Sequence, residues 1–382
     1  MRIVHTADWH LVNRSSILIE EIDERFTKPV NIRLLDKLSA IHSIGKYTID
    51  NAKVLIIAGD IYDNNNPGND LKIIVSKFIS ALVKYKVHII IIPGNHDENI
   101  WSDVSHLTID SKYLHVVTKP KILLIDDVYF HCLPYRKYDI DEKIKMFHDK
   151  RLLQGEKNIL IAHLMVKNCI LSLDQGIIGN ISSINESMLR GFDYVALGDI
   201  HYSQKIGNEK RVSKGNQIWY SGSIVRNSFS ESSEEKYFNV IDLTDSVNVN
   251  RIKLDDREFY NLFLNWKEII TLQKILEKGV KIPICKKIIN EGSIVKLNFD
   301  VKKTVWKLFD DTKFTSLFKK VYKVKYLKIN FNYVDDNQLL KLNTMINSLS
   351  ILKFVIDGDK LVGDNIKNEA KKIGSEIIKE LE

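Results

Sequence analysis

Five short apolar runs, Arg2–Thr6, Val54–Ala58, His88–Ile92, Asn158–Ala162 and Tyr194–Leu197, each stop abruptly at residues able to hold a metal ion. The runs are compact and rich in Val, Ile and Leu, the signature of strands buried on both faces. Helical spacing over Ile32–Asn51 and Asn69–Tyr85 separates the first three, which makes the pattern α/β. The tips are Asp8-Trp9-His10, Gly59-Asp60, Gly94-Asn95-His96-Asp97, His163, and Gly198-Asp199-Ile200-His201. In an open α/β sheet the carboxyl ends of the strands converge on the ligand crevice, so five segments aim their polar tips at one place. Asp, Asn and His supply the oxygen and imidazole donors that hard divalent metals take, and no thiolate is among them. Singly, a Gly-Asp after a strand reads as a turn and a strand-end His as structural. Five in this order read as a metal site.

The rest of the chain is less regular. Residues 113–132 offer three close strand-like runs with no helix between them, and 216–243 offer two more, so the sheets are expected to be mixed. A domain boundary is expected near Asp245–Asp255, where the polar run DSVNVN precedes a new helical pattern. Beyond it, Ser293–Asp300 reads as a strand, Lys302–Val321 as an amphipathic helix, and Val324–Tyr333 as an alternating strand. Helices are expected around Asn337–Ile351 and Asn365–Leu381. The expected organisation is a domain over 1–250, a small basic α+β domain over 251–334 and a helical tail over 335–382.

Composition narrows the class. With 382 residues, 44% hydrophobic and 27% charged, the chain suits a globular protein of two or three domains and not a disordered one. No stretch approaches 18 uninterrupted apolar residues, and the N-terminus runs into Asp8 and His10 where a signal peptide would need an apolar core. A cytoplasmic protein without a membrane span is expected, in the nucleoid or in a host's cytoplasm if the genome is viral. Cys132, Cys169 and Cys285 lie far apart, which argues for reduced thiols and against a disulfide framework or a cysteine zinc site. The formal charge of +7 is unevenly placed: residues 251–382 hold 26 Lys and Arg against 18 Asp and Glu, leaving 30 against 31 before them. Residues 281–330 hold 13 basic and 4 acidic residues, with Phe299, Trp306, Phe309, Phe314, Phe318 and Tyr322 interleaved. That is either a solvated helix face over a core or a surface that tracks nucleic-acid phosphates through lysines such as Lys286, Lys287, Lys302, Lys303, Lys319 and Lys320, and charge alone does not choose.

The order Asp-x-His, Gly-Asp, Gly-Asn-His-Asp, lone His, Gly-x-x-His resembles the calcineurin-like metallophosphoesterase superfamily over residues 1–245. The resemblance implies a mixed-sheet α/β sandwich with helices outside. It also implies two divalent ions, one held by Asp8, His10, Asp60 and His201, the other by Asp60, Asn95, His163 and Asp199, with Asp60 bridging. His96 matches the residue that gives a proton or hydrogen bond to the phosphate and the leaving oxygen. Two ions ~4 Å apart clamp a phosphodiester, lower the pKa of water and offset charge on attacking and leaving oxygens. A histidine of ordinary pKa ~6.5 can protonate an alkoxide.

Within the superfamily, Tyr220-Ser221-Gly222-Ser223 before a final strand, Pro134-Tyr135 after a strand, and Gly59-Asp60-Ile61-Tyr62-Asp63 with Pro67 beyond resemble SbcD-type DNA repair exonucleases. That branch implies exonuclease and single-strand endonuclease activity on DNA in double-strand-break repair or recombination, a DNA-binding cap, and a tail docking on an SbcC-like coiled-coil ATPase. It also implies a homodimer. A phosphatase or other phosphodiesterase of the same superfamily is the alternative, and a DNA-end scaffold with a vestigial site is a third reading. One position departs from the pattern: many members place His where this chain has Asp199. As a ligand, Asp199 makes three carboxylates against two divalent ions, which favours Mn2+ or Mg2+ over zinc; alternatively it caps a turn and the second ion is missing. His5 is expected to be packed and hydrogen-bonded, Asp63 and Asp97 to support the site, with Asp97 orienting an imidazole. His42, His88, His106, His115, His131 and His148 are expected on the surface or in the core, and Ser221 and Ser223 are not expected to act as nucleophiles.

Overall fold

The computed structural model describes residues 1–333 apart from 15–16, 18, 27, 103–108, 110, 153–156, 172–182, 208–216, 245 and 302–308. The chain divides into two compact units, Met1–Asp256 and Arg257–Glu382.

The first unit holds two six-stranded sheets. One runs, in spatial order, Val247–Lys253, Tyr237–Leu243, Arg2–Thr6, Val54–Ala58, His88–Ile92 and Leu114–Val116. The last four strands of that order are parallel, and Tyr237–Leu243 is antiparallel to both of its neighbours. The other runs Gln204–Ile206, Gln217–Tyr220, Tyr194–Gly198, Lys157–His163, Val128–Leu133 and Lys121–Ile125, parallel in its centre and antiparallel at both edges. The mixed sheets result from the connections: helices Ile32–Asn51 and Asn69–Lys84 cross between parallel strands, whereas 121–133 is a hairpin.

Alternation along each strand explains why the runs look apolar throughout. Ile3, Val54, Ile56, Ile90 and Ile92 face the second sheet with Phe130, Ile159, Ile161, Tyr194 and Ala196, while Val4, Leu55, Ile57, Ile89 and Ile91 face the two helices. Leu160, Val195 and Leu197 face helix Ile140–Leu152 on the far side, giving a helix–sheet–sheet–helix sandwich. Ile89, Ile90, Ile91 and Ile92 are all fully buried; each contributes ~1.5–3 kcal/mol over an exposed position. Between the sheets lies one polar trio: His5 Nδ1 is 2.9 Å from Tyr194 Oη, and Asn239 donates to that oxygen at 3.2 Å. His5 is therefore packed and hydrogen-bonded, and burial pushes its pKa down to about 3.

The polar run DSVNVN leads into an edge strand. Val247–Lys253 pairs along its whole length with Tyr237–Leu243 as the edge of the first sheet, with Val247 and Val249 packed on the core and the intervening asparagines exposed. A helix does not begin directly after it: Phe259–Asn265 is a strand, and helix Trp266–Glu277 starts only beyond that, with a capping box between Asn265 and Glu268.

In the second unit the strands Phe259–Asn265, Ile294–Val301 and Tyr326–Tyr333 are all parallel, with helices Trp266–Glu277 and Asp311–Tyr322 between them. This is an α/β arrangement and not the expected α+β one. Of the helix expected over Lys302–Val321, the stretch Asp311–Tyr322 forms, capped where Asp310 accepts from the Lys313 N–H, while 302–308 lie outside the described residues. Phe299, Phe314, Phe318 and Tyr322 are fully buried, and Phe309 packs against them, so these five of the interleaved aromatics belong to the core of this unit. Trp306, Lys302, Lys303 and the tail 335–382, with its two expected helices, lie outside the described residues.

Candidate metal centre

Three of the five strand tips turn through unusual backbone. Asp8, His10, Asp60 and Asp199 have φ of 53°, 46°, 53° and 96°, the left-handed region that costs non-glycine residues of order 1–3 kcal/mol each. The tips brace one another: Asp8 N–H donates to the Gly59 carbonyl at 3.1 Å, His10 N–H to Asp60 at 2.9 Å and Leu11 N–H to Ile61 at 2.8 Å. Glycine is required where tips meet. A Cβ on Gly59 would lie 2.1 Å from His163 Nδ1, and one on Gly94 would lie 2.0 Å from Asp60 Oδ1.

The donor atoms of Asp8, His10, Asp60, Asn95, His163, Asp199 and His201 come together. Asp60 Oδ2 is 3.6 Å from His10 Nε2 and 3.4 Å from His163 Nε2. His163 Nε2 is 3.0 Å from Asn95 Oδ1 and 3.9 Å from Asp199 Oδ1. His201 Nε2 and His10 Nε2 face each other at 3.1 Å, and Asp199 N–H donates to Asp8 Oδ1 at 3.0 Å. One atom each of Asp8, Asp60 and His163 lie within 4.8 Å of one another. The other Asp8 oxygen, Oδ2, is buried with no hydrogen-bond partner. An orphaned buried carboxylate oxygen among converging O and N donors fits divalent cations.

Charge is shared within the cluster. Burial pushes the Asp8 carboxyl up to about 6. Burial also opposes ionisation of Asp60, but His163, His10 and His96 hold its carboxyl well below the usual carboxylate range. Burial lowers His10 to about 4, whereas His163, despite its burial, is raised by Asp60, Asp199 and Asp8.

His96 stands at the exposed mouth. Its N–H donates to Asp60 Oδ1 at 3.0 Å, its ring meets His10 edge-on at 4.9 Å, and its Nδ1 is 3.0 Å from the Asp63 carbonyl. A carbonyl oxygen can only accept, so that contact makes Nδ1 the donor.

Supporting residues are partly those expected. The Asp63 carboxylate lies 3.4 Å from His10 Nδ1, behind the ring. Asp97 orients no imidazole: it is fully buried and accepts from Gly94 N–H at 2.9 Å and Tyr62 N–H at 3.1 Å, pinning two tips together. Three supporting residues carry no motif. Lys37, buried on its helix, donates to the His10 carbonyl at 2.6 Å. Glu231, fully buried, lies 3.6 Å from His201 Nδ1 and 2.5 Å from Lys236 Nζ. Only the spacing of an acid and a lysine around the short helix Phe229–Glu231 hinted at the last two, and such spacing is common on solvated surfaces.

The remaining expectations resolve simply. Tyr220 Oη donates to the Leu164 carbonyl, and Gly222, at φ 79°, passes so close to His201 that a Cβ would lie 2.6 Å from its carbonyl. Ser223 Oγ bonds the Val225 carbonyl, a structural role. His131 pairs with Asn158 at 2.8 Å, His148 with the Met188 carbonyl at 2.7 Å, His88 with His115 at 3.2 Å, and His42 is exposed; His106 lies outside the described residues. Lys286, Lys287, Lys319 and Lys320 are exposed on the second unit.

Comparison with known proteins bears on this site. The family profile of the calcineurin-like phosphoesterases matches residues 1–203. The SbcD subunit of the nuclease SbcCD from Staphylococcus saprophyticus subsp. saprophyticus is 29% identical over 272 residues, covering 64% of this chain and 66% of that protein. This chain thus spans just under two thirds of that relative's length. Among solved structures, a dimetal phosphatase from Danio rerio aligns over 66% of this chain and 95% of its own at 11% identity, with a TM-score of 0.43. Vps29 from Chaetomium thermophilum aligns over 66% and 93% at 9% identity, with a TM-score of 0.25. No helix among the described residues is long and apolar enough to cross a membrane.

Proposed function

Since this chain belongs to the calcineurin-like phosphoesterase family, a family of metal-dependent hydrolases, we propose that it is a nuclease that cleaves DNA phosphodiester bonds. The observation that carries the reading is the convergence of seven O and N donors from five strand ends, with Asp60 Oδ2 between His10 and His163. Asp8, His10, Asp60 and His201 would hold one ion, and Asp60, Asn95, His163 and Asp199 the other. Such ions, when bound, supply Lewis acidity that activates water and offsets charge on phosphoryl oxygens. Three carboxylates in the set favour Mn2+.

The chain's own residues do the rest. His96, oriented by the Asp63 carbonyl, presents Nε2 to protonate the leaving oxygen. Asp63, Lys37, Glu231 and Asp97 keep the tips in register.

A nucleic-acid substrate is supported by the name of the SbcCD relative, a nuclease, and by the basic excess beyond residue 250, including exposed Lys286, Lys287, Lys319 and Lys320, and DNA is the nucleic acid we propose. On this reading residues 251–334 bind DNA, residues 335–382 dock on an SbcC-like coiled-coil ATPase, and the protein works as a cytoplasmic homodimer in double-strand-break repair, with exonuclease and single-strand endonuclease activity. The test compares Mn2+-dependent hydrolysis of a labelled DNA duplex and of p-nitrophenyl phosphate, with Asp60→Ala as control. Cleavage of DNA lost in Asp60→Ala supports the proposal; turnover of the small phosphate with intact DNA would make the protein a phosphatase instead.

A further inference from the structure

The two histidines that meet at 3.1 Å, His10 and His201, are backed in a way that His163 is not. Behind His10 Nδ1 stands the Asp63 carboxylate at 3.4 Å, and behind His201 Nδ1 the Glu231 carboxylate at 3.6 Å. Behind His163 Nδ1 stands only a neutral group, the Ala58 carbonyl, at 2.8 Å. Of the two carboxylates Glu231 is the more deeply enclosed. It is fully buried, and a carboxylate there is tolerable only because Lys236 Nζ, itself buried, lies 2.5 Å from it. Lys236 reaches further, to Glu234 at 2.9 Å, Ser223 Oγ at 3.0 Å and the His201 carbonyl at 3.4 Å. Asn227 N–H supplies the second bond to Glu231, at 3.1 Å. The pair thus grips both the ring and the backbone of His201 from beyond the residues that the family profile covers.

We propose that Glu231, neutralised by Lys236, is a positioning residue for His201 and sets the affinity of the ion held by Asp8, His10, Asp60 and His201. A carboxylate behind a ligating imidazole fixes its tautomer and ring plane and raises its basicity, and loss of such a partner costs ~10–100-fold in metal affinity. The proposal rests on the two-ion reading above.

A buried ion pair that serves only folding can be replaced by uncharged groups of similar volume with little loss of stability. The double variant Glu231→Gln/Lys236→Met therefore separates the roles, and Glu231→Gln alone is the second variant, since Lys236 keeps Glu234 and Ser223. Mn2+ binding to the chelator-treated full chain is read by calorimetry, alongside the thermal midpoint. Wild type is expected to bind two ions, and either folded variant to bind one of them ~10–100-fold more weakly. Wild-type affinity for both ions in a folded variant overturns the proposal and leaves the pair structural. Fewer than two ions on the wild type overturns the two-ion reading itself, and this inference with it.

Discussion

Gly94→Ala should disable the site without replacing a single candidate ligand. The new Cβ would lie 2.0 Å from Asp60 Oδ1, 2.5 Å from its Cγ and 2.6 Å from its backbone nitrogen, whereas real Cβ contacts essentially never fall below 3.0 Å. Something must give by about 1 Å. The Gly94 loop is held by its N–H bond to buried Asp97, and the Asp60 backbone by the His10 N–H, so the softest response is rotation of the Asp60 carboxylate. That carboxylate lies between His10 and His163, and misplacement by 1 Å costs on the order of 10²-fold in rate, or about 2.7 kcal/mol. Overpacking adds about 1–3 kcal/mol of lost stability. The assay is Mn2+-dependent hydrolysis of a phosphodiester, with the thermal midpoint measured in parallel. Gly68→Ala is the control, because nothing lies within 4 Å of a Cβ there. Wild-type turnover and ion binding in Gly94→Ala would refute the reasoning.

Three further outcomes are expected. His5 ordinarily titrates at 6.5 and is held at about 3 by burial, so folding keeps it neutral while the unfolded chain protonates; stability is full above pH 6.5 and is lost as pH falls toward 3. At pH 4.5 the loss is about 2.7 kcal/mol, and in denaturant titrations at pH 7 and 4.5 His5→Gln should shrink the pH difference by about that amount; an unchanged difference would count against it. After chelation, Mn2+ should restore more phosphodiesterase activity than Zn2+, since Asp199 adds a hard carboxylate to the donor set, and the reverse order would contradict that role. Phe318→Ala, which empties a site stacked on Tyr322 at 4.5 Å, should cost the second unit about 3–5 kcal/mol in a thermal or denaturant melt, and a loss under ~1 kcal/mol would mean that this aromatic core does not hold it.

The first unit is readable because its strands are buried on both faces and stop at polar tips. Arg2–Thr6, Val54–Ala58 and His88–Ile92 run between the residues that the pattern marks, and the other two gain one residue at an end or at both. An edge strand lacks that signal. Val247–Lys253 has one solvated face, so its asparagines resemble those of a loop. In the second unit, Phe259–Asn265 lies beside a helical pattern and merges with it, and a basic, aromatic stretch cannot be divided into core and surface before the fold places Phe314 and Phe318 inside. Within the site, residues with donors at strand ends are legible from chemistry and position together. Lys37, Glu231 and Lys236 are not, since a lysine or glutamate announces burial only when its partners, far away in sequence, close around it.

The first strand carries a consequence for how the protein is made. Arg2–Thr6 lies between Val54–Ala58 and Tyr237–Leu243, and Asp199 N–H binds Asp8 across 191 positions. A ribosome adding ~5–20 residues per second leaves that strand half-paired for roughly 9–36 s between the completion of Val54–Ala58 and the arrival of residue 237. His201, Glu231 and Lys236 also arrive late, so every nascent chain short of them lacks a complete cluster. On the two-ion reading, chains of the first unit that end before His201 should bind fewer ions and hydrolyse no phosphodiester.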